Sequence, residues 1–98
     1  MQPQSEAITI DDVRAAASRL APHVVKTPLL ESPFLNEMAG RRLLVKAECL
    51  QKTGSFKFRG AWSAISALSD DEKAKGVLAY SSGNHAQGIA QALSLIHI

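Results

Sequence analysis

LLVKAECLQKTGSFKFRGA, residues 43–61, holds the change of period on which the fold turns. Leu43, Val45, Ala47 and Cys49 alternate with Leu44, Lys46 and Glu48, the two-residue repeat of a strand over 43–49. Past Gly54 the repeat changes. Phe58, Ala61, Trp62, Ile65 and Leu68 recur at helical spacing, predicting a helix that starts near Ser55 to Lys57 and runs to about Leu68. Lys57 stands at the entry to that helix, between Phe56 and Phe58.

The pattern then repeats downstream. Ser69 to Glu72 spells a capping box for a short helix that stops at Gly76. Val77 to Tyr80 is a short apolar run of the kind found in buried parallel strands. SSGNHAQG follows at 81–88, with a helix from about His85. Strand, loop, helix, strand, loop, helix is the order of an α/β fold, a parallel sheet with helices packed on it. Upstream, Thr9 and Asp12 cap a helix from about Ile10 to Ala21, ended by Pro22. Val24 to Leu30 reads as extended, and Pro33 opens a short helix that Gly40 closes.

Composition narrows the class of protein. Of 98 residues, 46% are hydrophobic and 20% charged, which suits a packed core. The net charge is +2 and aromatics are 5%, so nucleic-acid binding gets little support. The lone Cys49 cannot form an internal disulfide, which fits a reducing cytoplasmic compartment. MQPQSEAITI lacks the basic and apolar regions of a secretion signal. No apolar run approaches the roughly 20 residues that span a bilayer, so a soluble protein is expected. The three histidines and one cysteine are not at ligand spacing, and no metal site is expected.

In α/β folds ligands bind beyond the carboxyl ends of strands, where both loops fall. Ser81, Ser82, Gly83 and Asn84 precede a helix N-terminus, whose N–H groups and dipole favour an anion. A carboxylate or phosphate suits the loop, but an ordinary capped turn has the same composition. For Lys57 the plain reading is a solvated lysine. Against it, a cation in the first helical turn opposes the dipole. Burial beside Phe56 would lower the amine's pKa and make it the nucleophile a Schiff base needs.

SFKFRGA and SSGNHAQG together resemble the serine/threonine dehydratase group of pyridoxal-phosphate enzymes, which also contains serine racemase. The likeness runs from about Ile8 to Ala92 and includes TPLL at Thr27 to Leu30. It implies the N-terminal part of a fold type II, tryptophan synthase β-like domain over residues 1–92, with helices on both faces of a parallel sheet. It implies pyridoxal 5'-phosphate as cofactor and dehydration and deamination of L-threonine or L-serine, with serine racemisation or hydroxyaspartate dehydration as alternatives. Lys57 would join the cofactor aldehyde and then act as base at the substrate α-carbon. Phe56 would pack on the pyridine ring, and Asn84 would donate to the cofactor's phenolic oxygen. Ser81, Ser82, Gly83, Asn84 and His85 would hold the substrate carboxylate, and Ser82 could serve as a second acid/base. The cysteine-synthase relatives carry valine-lysine-aspartate-arginine at the lysine, whereas this chain has Phe56-Lys57-Phe58-Arg59. A homo-oligomeric full-length enzyme is expected.

Other residues have plainer roles. Arg59 is expected to pair with a carboxylate or carbonyls, with Glu48 and Gln51 bracing the lysine loop. Trp62 belongs to the core, Cys49 alternates with core positions, and His23 follows Pro22 at the surface. The closing LSLIHI, Leu93 to Ile98, matches the translation of a sequencing-adapter end and is expected to be non-native. The relatives' glycine-rich phosphate loop lies further along, so the 98-residue piece alone is expected to be poorly folded and inactive. A non-catalytic anion-binding module on the same fold is the reading from another class.

Overall fold

A computed structural model describes residues 7–97. Residues 1–6, on which part of the signal-peptide reading rests, and Ile98 of the closing segment lie outside the described residues.

Helix α1 (Ile10–Leu20) begins where its cap directs. The Thr9 hydroxyl accepts from Asp12 N–H, and Asp12 accepts back from Thr9 N–H at 2.8 Å. The strands β1 (Leu29–Glu31) and β2 (Leu44–Lys46) flank α2 (Pro33–Ala39), which ends at Gly40 in the left-handed region at φ 66°. Two single helical turns, Glu48–Leu50 and Lys52–Gly54, lead into α3 (Lys57–Ser66). Next come α4 (Asp70–Lys75), with its expected Ser69–Glu72 capping box, and α5 (Asn84–Leu95).

β1 and β2 pair antiparallel, with Leu29 opposite Lys46, Leu30 opposite Val45 and Glu31 opposite Leu44. This corrects two expectations. The first strand stops at Lys46, and Cys49 sits exposed in the turn beyond it. Val77 to Tyr80 forms no strand, and Leu78 and Tyr80 stand 98% and 97% exposed. A strand needs a neighbour to take up its N–H and C=O groups. Among the described residues the sheet has only β1 and β2, so the expected parallel pairing has no partner here.

The core lies where α3 meets α5. Phe58, Ala61, Trp62 and Ile65 bury one stripe of α3 against Ala92 of α5, with Ile89 and Leu93 packed alongside. Leu68, expected on this stripe, is outside the buried cluster. Trp62 satisfies its indole N–H on the Arg19 carbonyl at 3.1 Å, which ties α1 to α3. His23, expected at the surface, is half-buried against the Trp62 ring at 4.3 Å between centroids. Leu93, Leu95 and Ile96 of the closing segment also pack against this cluster.

Candidate active site

The site is built on the entry to α3. The turn before it closes through Gly54 N–H donating to the Gln51 carbonyl at 2.8 Å. Thr53 within that turn has φ 67° and ψ 1°, and Gly54 has φ 77°. Left-handed geometry suits glycine, whereas a β-branched threonine is strained there. The buried Thr53 hydroxyl has no hydrogen-bond partner among the described residues.

A polar clamp fixes both ends of this turn. Arg59, in the first turn of α3, grips Glu48 bidentately, through Nε to Oε1 and through Nη2 to Oε2 at 3.1 Å. Buried Thr27 donates its hydroxyl to Glu48 Oε2 at 2.5 Å. The Arg59 guanidinium holds the Glu48 carboxyl down at about 2; burial pushes the other way and the Thr27 bond helps lower it. Gln51, also buried, bonds both the N–H and the carbonyl of Val25 at 2.9 Å. The bracing expected of Glu48, Gln51 and Arg59 is found, and Thr27 joins it.

Lys57 is the first residue of α3 and half-buried. Its Nζ lies 5.3 Å from the Phe56 ring centroid, within range of a cation–π contact. The two flanking rings part company: Phe58 is fully buried in the core, whereas Phe56 is 60% exposed.

Across from it, α5 starts without a side-chain cap. Gly83 is the N-cap residue, and its N–H donates to the Ser81 hydroxyl at 3.1 Å. The first N–H groups of a helix have no intrahelical acceptor, so this end favours an anion. A hollow of about 300 Å³ lies beside the α3–α5 contact, lined by Phe56, Lys57, Gly60, Ala61, Ala64, His85 and Ile89. The structure therefore brings Phe56, Lys57 and His85 together. Ser81, Ser82, Gly83 and Asn84 are exposed and outside that lining. Two larger hollows, about 450 and 520 Å³, lie beside Thr53 and at the start of α1; neither is lined by a lysine or a histidine.

The sequence reading gave no role to Gly88, which is buried on α5 one turn after His85. A Cβ there would lie 3.1 Å from the Lys57 carbonyl oxygen. The available signal was a glycine inside a helix, which costs about 1 kcal/mol against alanine and so calls for a reason.

Residues 20–98 match the family described as "Pyridoxal-phosphate dependent enzyme". The chain belongs to this family. Over 90 residues it is 48% identical to the L-threo-3-hydroxyaspartate ammonia-lyase of Saccharomyces cerevisiae, covering 92% of this chain and 28% of that protein. Over 91 residues it is 46% identical to the L-threonine ammonia-lyase of Thermotoga maritima, covering 93% of this chain and 23% of that protein. The solved structure of maize serine racemase superposes with a TM-score of 0.86 at 46% identity, covering 95% of this chain and 29% of that one. The fold is thus a portion of fold type II, and this pyridoxal-phosphate family member spans under a third of the length of those relatives.

The hollow's chemistry fits one part of that cofactor. Lys57 offers a primary amine for an aldehyde, the Phe56 ring offers a face for a flat heteroaromatic, and Gly60, Ala61 and Ala64 leave room for it. The fit is to the aldehyde end and the ring; besides Lys57, only His85 in this lining could meet a phosphate's charge.

Proposed function

We propose that these residues are the lysine-bearing part of an ammonia-lyase that dehydrates and deaminates L-threonine or L-serine. One observation supports the reading: Lys57, Phe56 and His85 at the start of α5 line a single hollow. When bound, pyridoxal phosphate draws electron density away from the substrate α-carbon. The chain's own residues would do the rest. Lys57 would hold the cofactor aldehyde, and its free amine would take the α-proton. The uncapped start of α5, with Ser81, Ser82, Gly83, Asn84 and His85, grips the substrate carboxylate. Asn84 orients the cofactor ring through its amide. The β-hydroxyl would leave as water, and water would then hydrolyse the resulting enamine to a 2-oxo acid and ammonia.

A second reading, serine racemisation, draws support from Ser82. It is exposed and, among the described residues, does not cap α5, which leaves its hydroxyl open to exchange a proton. Ser82→Ala in the full-length protein should remove racemisation and leave a measurable part of the elimination. Equal loss of both would count against a separate role.

The direct test uses the purified full-length protein, expected to be a homo-oligomer. It should show visible absorbance from lysine-bound cofactor and release 2-oxobutanoate from threonine or pyruvate from serine. Lys57→Ala should abolish the absorbance and lower turnover by at least about a thousandfold. Retained turnover, or borohydride labelling of a different lysine, would overturn the assignment.

A further inference from the structure

We propose that Gly88 is a positioning residue: its missing side chain sets how closely the helix carrying the anion-gripping loop approaches Lys57. The inference rests on the reading of Lys57 as the cofactor's amine. Gly88 is buried and faces the peptide that joins Lys57 to Phe58. A Cβ at this position would stand 3.1 Å from the Lys57 carbonyl oxygen, 3.2 Å from its carbonyl carbon and 3.3 Å from the Phe58 nitrogen. All three are backbone atoms, so no rotamer change can relieve the crowding. Ordinary carbon contacts lie at about 3.5–4.0 Å, so an added methyl group must push the two helices apart by a few tenths of an ångström.

That displacement would fall on the site. Lys57 opens α3, and Phe58 directly after it is fully buried, so the α3 side of the contact is anchored in the core. Arg59 fastens the same turn to Glu48. Among the described residues no side-chain hydrogen bond ties α5 to another element, so α5 is the side expected to yield. His85 lies one turn before Gly88 and lines the hollow with Lys57. A shift of α5 moves His85 and the Ser81–Asn84 loop relative to the amine. Gly60, the other glycine at this junction, meets nothing within 4 Å of a built Cβ, so the crowding is specific to Gly88.

The test uses the full-length protein in its cofactor-free form. Pyridoxal phosphate is titrated in while visible absorbance is followed, and borohydride trapping with peptide mapping locates the bound lysine. Gly88→Ala should weaken binding at Lys57 by about tenfold or more, since sub-ångström misplacement at a reacting pair is costly. Ile65→Val, which thins the same core without adding bulk near Lys57, should lower the melting temperature and leave the affinity within about twofold. Affinity in folded Gly88→Ala equal to that of the unsubstituted protein would overturn the inference. Should Gly88→Ala not fold, a crystal structure of the unsubstituted full-length protein decides. Contact between Gly88 and the Lys57 carbonyl upholds the inference, and a gap wide enough for a methyl group overturns it. If the unsubstituted protein binds no cofactor at Lys57, the underlying reading fails and the inference falls with it. Trapping at Lys57 in both proteins with equal affinity defeats the Gly88 inference alone.

Discussion

Glu48 ties the stability of the clamp around the lysine turn to pH. Its carboxyl is held at about 2, against 4.5 for the ordinary group, chiefly by the Arg59 guanidinium. A carboxylate whose pKa is lower folded than unfolded adds stability that is fully present above about pH 4.5. That stability is lost as pH falls toward about 2. The difference corresponds to at most about 3 kcal/mol. Melting temperatures of the full-length protein recorded from pH 6 to 2.5 should fall across this window. In Glu48→Gln the protein should start about 2 kcal/mol less stable, because Arg59 loses its counter-charge, and the fall should be shallower. Thr53 offers a test of opposite sign. Its left-handed backbone and partnerless hydroxyl make Thr53→Gly stabilising by about 1 kcal/mol in chemical denaturation. A loss of stability on that change would show that the threonine side chain is satisfied by contacts from the rest of the full-length protein.

At the scale of elements, local signals were legible and distant ones were not. The capping boxes Thr9–Asp12 and Ser69–Glu72, Pro33 at the start of α2 and left-handed Gly40 at its end are all found as read. Each depends on residues within one helical turn of one another. Thr9→Ala should accordingly cost about 1 kcal/mol and reduce the helical circular dichroism signal. The Phe58–Ala61–Trp62–Ile65 stripe was also legible, because its spacing is itself the helix signal. The Val77–Tyr80 strand was not, since pairing depends on what lies alongside rather than on its own residues. Cys49 was misplaced for a related reason: alternation in sequence ran on past Lys46, where the ladder to β1 ends. Of the hollow's lining, Phe56, Lys57 and His85 stood out in the sequence through their motifs, whereas Ser81 to Asn84, read with them, lie outside it. The Gly88 contact joins residues 31 positions apart and could be seen only in three dimensions.

At the scale of the molecule, the chain is more open than its size predicts. Its accessible surface is 7522 Å², against about 5,400 Å² for a compact protein of this mass. Its radius of gyration is 16.6 Å, against about 13 Å. Phe34, Met38, Leu44, Val45, Leu78 and Tyr80 are all exposed apolar side chains. The isolated 98-residue chain should therefore bind a hydrophobic dye and melt without a sharp transition; a steep, single melt would contradict this. The unpaired stretch between α4 and α5 carries one more consequence. Lys75, the last residue of α4, is an exposed trypsin target, whereas Lys57 is half-buried. A first nick after Lys75 would part the backbone between the amine and the helix facing it. Thr27, Glu48, Gln51 and Arg59 would remain stitched together on one piece, and only side-chain packing would keep His85 opposite Lys57.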